Sequence, residues 1–234
     1  MLNNITDVVK NLIIINVIIF VGTIALPDHY RSMGVLHFFK SEEFMPFQVV
    51  SSMFMHADFM HLLFNMFSLF FLGPMVEKTL GAKRFLILYL TAGFGATALH
   101  VGINAYEYYN AIQGVPQEIV DILISDGRQA KINTAYHTPA VIKAANIINS
   151  GVLGASGCVY GVIIAFATMF PNLKLMVFPI PVPLPAKILG VGMVAIGLYS
   201  GFGGVNDGIA HFAHVGGAIV GFLLVKYWKM SNLR

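Results

Sequence analysis

Apolar residues gather into six runs along the chain, approximately Leu12 to Leu26, Val49 to Val76, Phe85 to Ala105, Asn146 to Phe170, Pro185 to Tyr199 and Gly208 to Tyr227. As helices, runs of about 20 residues match the roughly 30 Å hydrocarbon core of a bilayer. The pattern predicts an all-α polytopic membrane protein, a bundle of six transmembrane helices forming a single membrane domain over residues 1–234. The first run, with Lys10 before it and Pro27-Asp28 after it, has the outline of a secretory signal. Its TIALP segment lacks a small-x-small cleavage site, so it is read as a retained helix. Glycines and polar residues interrupt every span, as in helices packed around a site.

Two connecting segments are long. Pro27 to Pro46, with Phe38, Phe39, Phe44 and the adjoining Phe47, has the aromatic density of a loop lying partly in the membrane interface. Tyr106 to Lys143 forms a polar insert between the third and fourth spans. Within it, Pro116 followed by QEIVDILISDG predicts a short helix ending before Gly127. Inspection shows no low-complexity tract and no internal repeat, direct or inverted.

Composition sharpens this picture. The chain is 57% hydrophobic and 11% charged, against about a quarter charged in soluble domains, which excludes a soluble globular protein. Fourteen basic and eleven acidic residues leave a net charge of +3, too small and too scattered for a nucleic-acid partner. The single cysteine, Cys158, excludes an internal disulfide or thiolate cluster and is read as a small buried hydrophobe. Six spans put both termini on one face, together with Lys10, Lys78, Lys83, Arg84, Lys174, Lys187, Lys226, Lys229 and Arg234. The positive-inside rule assigns that face to the cytoplasm.

Polar side chains at membrane depth are costly and tend to face one another. The second span carries His56, His61 and Asn65. The fourth opens with Gly154-Ala155-Ser156-Gly157 and continues to Tyr160, and the sixth carries His211 and His214. All three clusters fall toward the outer ends of their spans and can share one depth. A G-x-S-G match alone arises by chance about once in ten chains of this composition. Its setting adds to it, because Gly157 and Gly161 on the fourth span and Gly217 and Gly221 on the sixth form two G-x-x-x-G faces that permit close backbone approach. Packing those faces together brings the Ser156 hydroxyl toward His214.

A serine hydroxyl attacks a carbonyl only when a base takes its proton, and a neutral imidazole is the usual base. No Asp or Glu lies at that depth on the fourth or sixth span, so the arrangement is a dyad. Tyr160, one turn after Ser156, either stacks on the imidazole or is plain aromatic core. His61 and Asn65, spaced i, i+4, either aim two donors at a developing oxyanion, with the Ser156 amide as a third, or simply tie two helices together. A metal site is the competitor. His211 and His214 at i, i+3 could chelate, but His56 and His61 share no helical face well, and only Asp58 stands near as a carboxylate. A zinc site would also leave the setting of Ser156 unexplained, so neither metal nor cofactor is expected.

In these motifs the chain resembles the rhomboid family of intramembrane serine proteases, in its minimal six-helix bacterial form. The resemblance runs from about Phe47 to Tyr227 apart from the insert. It rests on His61-x-x-x-Asn65, Glu77 in MVEKTLG, Gly154-x-Ser156-Gly157, and Ala213-His214-x-x-Gly217-x-x-x-Gly221. It implies Ser156 as nucleophile, His214 rather than His211 as base, His61, Asn65 and the Ser156 amide as oxyanion hole, and Tyr160 stacked on the base. It also implies a multi-pass protein of a bacterial cell membrane, with a site opening to the outer side, that cleaves transmembrane protein substrates through an acyl-enzyme. The glycine-rich Ser200-Gly201-Phe202-Gly203-Gly204 would be a mobile cap, with the fifth span as a gate.

One departure is the absence of a Trp-Arg pair in the first outer loop, since the only tryptophan is Trp228; the loop is expected to be anchored by its phenylalanines. The longer insert is another. Two rivals stand beside the protease: a non-catalytic relative that binds membrane clients, and a histidine-based metal transporter. Repeated halves or several acidic residues within the spans would favour the transporter; the halves are not repeated, and Asp58 is the one acid within the six runs.

Overall fold

A computed structural model describes residues 5–126, 138–176, 182–203 and 210–231. The fold is helical. Helix α1 (Asp7–Ala25) is followed by a short α2 (Asp28–Met33), a two-residue strand β1 (Leu36–His37), one turn of helix α3 (Gln48–Ser51) and a 3-10 turn over Ser52–Phe54. Then come the long helices α4 (Phe59–Leu80) and α5 (Ala82–Ala111), and the shorter α6 (Gln117–Asp126) and α7 (Pro139–Asn149). Strand β2 (Gly151–Val152) precedes α8 (Ser156–Met169), the β3 and β4 pair (Lys174–Leu175 with Leu184–Pro185), α9 (Ala186–Phe202) and α10 (His211–Ser231). Among the described residues, α1, α4 and α5 are long and apolar enough to cross a membrane, and α8 and α9 are shorter apolar helices.

The second apolar run is not one helix. Its N-terminal part folds as α3 and the 3-10 turn, the backbone is extended at Met55, and α4 starts only after Asp58, whose carboxylate accepts the His61 N–H at 2.8 Å. This is an ordinary N-cap, satisfying one of the donors a helix start leaves open. His56 therefore precedes α4 instead of lying on it. The fourth run is broken in the same way: α7 ends at Asn149, β2 intervenes, and α8 begins at Ser156. The third span extends to Ala111, into what the hydropathy pattern assigns to the insert.

Helix α6 matches the helix expected after Pro116; its stop at Gly127 lies outside the described residues. Residues 200–202 continue α9 and Gly203 caps it, so this part of the segment expected as a mobile cap is the end of a helix. Gly204, Gly208, where the sixth apolar run opens, and the tail residue Arg234 lie outside the described residues.

Helix α1 buries one face, Val9, Leu12, Asn16 and Phe20, and turns Ile14, Ile18, Val21 and Ile24 outward. Its N-terminus is held by Glu77 near the end of α4. That buried carboxylate accepts from Thr6 Oγ1 at 2.5 Å, Val9 N–H at 3.0 Å and Val8 N–H at 3.3 Å. An anion suits this place, because a helix start presents unpaired N–H groups and a partial positive charge.

Between α5, α8 and α10 runs a seam of small residues. A Cβ on Gly217 would strike the Gly157 carbonyl, and one on Gly221 would strike the Gly161 carbonyl. Gly157 and Gly161 in turn face the Ala96 and Ala92 methyls of α5. The sequence pattern pairs only α8 with α10. In the fold, α5 is the third member of the seam. Without a strong hydrophobic drive between helices in lipid, such backbone contact is a main source of association.

The first outer loop is anchored by one of its phenylalanines and by polar side chains. Phe38 is buried against Tyr108 of α5, at 5.2 Å between ring centroids, in a cluster with Leu123 of α6 and Ile148 of α7. Phe39 and Phe47 are exposed. Buried Gln48 accepts the His37 N–H at 3.2 Å and donates to the Glu43 carbonyl at 2.8 Å. Strand β1 pairs antiparallel with β2, and Arg31 donates to the carbonyls of His56 and Ala57.

Candidate active site

Three helix starts converge at one end of the bundle. Ser156 is the first residue of α8, His214 lies in the first turn of α10, and His61 and Asn65 lie in the first two turns of α4. The basic helix ends meet at the opposite end, where Arg84 of α5 sits 5.8 Å from the Trp228 ring centroid of α10.

Ser156 Oγ is 2.8 Å from His214 Nε2, and the Tyr160 ring stacks on the His214 ring at 4.2 Å between centroids and 8° between planes. The stack fixes the ring plane, so Nε2 stays directed at the hydroxyl. An imidazole at this distance can take the hydroxyl proton during attack on a carbonyl. Of the two candidate bases on α10, His214 is the one bonded to Ser156.

A cavity of about 560 Å³ opens beside this pair, with Ser156, His214, Tyr160, His61, Asn65 and Gly154 in its walls. Among the described residues, Nδ2 of Asn65 is buried without a hydrogen-bond partner. A buried donor left unpaired costs about 1–3 kcal/mol, which a ligand oxygen in the cavity would recover. The Ser156 amide belongs to the first turn of α8, where N–H groups have no partner within the helix.

Gly154 keeps the centre open. Its φ of +140° is one that side chains other than glycine's avoid. A Cβ there would lie 3.0 Å from His61 Nε2 and 3.3 Å from Ser156 Oγ, so the space between hydroxyl and imidazole exists only because residue 154 has no side chain. The Gly154 N–H donates to the Ser52 carbonyl at 2.9 Å, fastening the turn before Ser156 to the 3-10 turn before α4.

His56 forms a layer behind His61, their rings meeting edge to face at 5.2 Å between centroids. The two residues do not share a helix face, yet the break before α4 folds His56 back onto His61. Burial, reinforced by the neighbouring His61 ring, pushes the His56 imidazole down to about 4 and keeps it neutral. Among the described residues no group of three or more His, Cys, Asp or Glu could hold a metal ion.

The Rhomboid domain family model matches residues 43–229. The chain belongs to the rhomboid family. Its rhomboid relatives include RHOMBOID-like protein 12, mitochondrial, of Arabidopsis thaliana, 26% identical over 217 residues that cover 92% of this chain and 56% of that protein. Rhomboid protease AarA of Providencia stuartii is 29% identical over 181 residues, 74% of this rhomboid and 52% of that one. Rhomboid protein 1, mitochondrial, of Saccharomyces cerevisiae is 26% identical over 182 residues, covering 76% and 41%. The chain spans about half the length of the curated relatives it matches. It is an integral membrane protein of a helical fold, and the family to which it belongs includes intramembrane serine proteases.

The sequence motifs pick out Ser156, His214, Tyr160, His61 and Asn65 in the cavity wall but not what supports them. Asp58 as N-cap, His56 behind His61, and Ala92 and Ala96 beneath the α8 glycines escape them. Asp58 before an apolar run and the A-x-x-x-A spacing on the third span were the available signals.

Proposed function

We propose that this rhomboid is an intramembrane serine protease that cuts peptide bonds in or beside the transmembrane segments of other membrane proteins. The observation that carries the proposal is the 2.8 Å contact between Ser156 Oγ and His214 Nε2 under the stacked Tyr160 ring. In this mechanism His214 takes the Ser156 proton as Oγ attacks the scissile carbonyl. His61, the Asn65 amide and the Ser156 N–H receive the oxyanion, each such donor contributing roughly a hundredfold or more in rate. His214 then returns the proton to the leaving amine, and water, activated by the same imidazole, releases the acyl group from Ser156. Gly154, Gly157, Gly217 and Gly221 set the distances that allow this. Every role is filled by a side chain or a backbone group, so activity should withstand chelators.

The same proposal takes the chain as one membrane domain of six spans, formed by α1, α4, α5, α8, α9 and α10. The basic helix ends face the cytoplasm, both termini lie there, and the cavity lies toward the outer side. The setting is a bacterial cell membrane, as the six-helix form implies, although named relatives include mitochondrial proteins.

The test is labelling by a fluorophosphonate probe together with cleavage of a panel of single-span proteins. Wild-type protein should label and cut, and Ser156→Ala should do neither. A folded wild type that neither labels nor cuts would favour a client-binding relative, and cleavage restored only by added zinc would overturn the serine mechanism.

A further inference from the structure

A second cavity, of about 670 Å³, lies on the outside of the bundle toward its basic end, between α8, α9 and α10. It exists because α9 is thinly packed. Only Ala186, Gly190 and Gly197 of this helix are buried; Gly190 approaches Ala167 and Ile164 of α8, and Gly197 approaches Val215 of α10. Beside these contacts the helices stand apart, leaving a groove walled by side chains such as Val194, Ala195, Ile219 and Phe222. Its volume lies within the range of about 300–1,000 Å³ usual for ligand sites.

Lys187, in the first turn of α9, and Lys226, near the end of α10, belong to the groove's lining, and no carboxylate lies in its described walls. Lys187 Nζ donates to Asn172 Oδ1 at 3.0 Å, and Lys226 Nζ lies 5.5 Å from the Phe222 ring centroid. The Lys226 ammonium thus lies by Phe222 of the groove wall, and the Lys187 ammonium is bonded to Asn172, next to Pro171 of that wall. An apolar slot of this volume with two cations in its lining fits an amphiphile with one negative head. Basic pockets between membrane helices bind anionic headgroups by this chemistry.

We propose that the groove is a binding site for an anionic phospholipid, with an acyl chain between α8, α9 and α10 and the phosphate between Lys187 and Lys226. The site is separate from the Ser156 cavity, at the other end of the bundle, and does not depend on any catalytic role. In it the lipid completes the packing that α9 lacks.

The experiment is native mass spectrometry of the full chain released from vesicles of phosphatidylcholine and phosphatidylglycerol in equal amounts. Wild-type protein should retain phosphatidylglycerol over phosphatidylcholine by roughly thirtyfold, from about fivefold for each lysine near an anionic headgroup. In Lys187→Gln/Lys226→Gln, two exposed substitutions that leave the packing intact, the preference should fall to about one. Ala195→Phe, which fills the groove and keeps the lysines, should lose the retained lipid. Equal retention of the two lipids by wild type, no retained lipid, an unchanged preference in the lysine double variant, or retention by the filled-groove variant would each overturn the site. A labelling defect in Ser156→Ala bears on none of these outcomes.

Discussion

Gly217 of α10 faces the carbonyl of Gly157 on α8 at the spot where a Cβ would stand, whereas Gly157 itself faces the methyl of Ala96 on α5. The two glycines look equivalent in sequence, but one meets backbone and the other a side chain.

That difference yields the first prediction. Gly157→Ala should destabilise by overpacking, on the order of 1–3 kcal/mol, and Ala96→Gly in the same chain should recover much of the loss because one methyl then replaces another. Gly217→Ala has no such partner, since the obstacle is a carbonyl, and Ala96→Gly should not rescue it. Thermal unfolding in detergent and the rate of fluorophosphonate labelling would measure both cycles. Equal rescue of the two glycine variants would refute the packing described.

Ser156→Ala and His214→Ala should each lower cleavage by roughly four to six orders of magnitude, and the double variant should be scarcely worse than either, as expected of residues that act as a unit. His211→Ala should keep substantial activity. Additive losses in the double variant would argue against a shared step.

Glu77→Gln should lower stability by roughly 1–3 kcal/mol, because one carboxylate oxygen that accepts from Thr6 and Val9 becomes an amide facing the same donors. Labelling of Ser156 below the melting temperature should be unchanged, since Glu77 lies at the other end of α4. Unaltered unfolding would show that the anchoring of α1 does not depend on the charge.

Phe38→Ala should loosen the first outer loop and the insert together. Removing a buried phenylalanine costs on the order of 3 kcal/mol, here drawn from the cluster that joins Phe38 to α5, α6 and α7. Hydrogen exchange should quicken at residues 35–38, 117–126 and 139–152, while α1 and α4 stay protected. Faster exchange confined to the loop would mean that the insert does not brace it.

A helical substrate satisfies its own backbone, so its chain must unwind before a carbonyl can reach Ser156. Cleavage should fall when Gly or Pro residues just beyond the scissile bond are replaced by Leu, which raises helix propensity. The same change in a distant cytoplasmic segment should leave cleavage alone. Equal cutting of uninterrupted Leu-rich helices would remove local unwinding from the mechanism.

The sequence marks some parts of this structure and leaves others unmarked. The approach of Ser156 to His214 is legible because the glycine spacing on two apolar runs permits close contact, whereas spacing only allows Tyr160 to stack and the family resemblance supplies that role. The breaks before α4 and α8 are not legible. Val49–Phe54 is as apolar as the helix that follows, and hydropathy does not distinguish a spanning helix from a buried turn. Only Asp58 in one case, and Gly151 and Gly154 in the other, mark the interruption. The anchoring of the first loop was half visible: its phenylalanines stand out, but the polar core built by Gln48 depends on contacts that no periodicity encodes.

Ser156 and His214 are separated by 58 residues of chain and sit on α8 and α10. During synthesis the serine therefore enters the membrane well before its imidazole, and α8 can pack its glycines on Ala92 and Ala96 of α5 while its Gly157 and Gly161 carbonyls wait for Gly217 and Gly221. On the mechanism proposed, a nascent chain halted short of α10 carries a hydroxyl that nothing deprotonates. On that mechanism the ability to cut comes into being only when α10 joins α8, so the order of synthesis itself delays the activity.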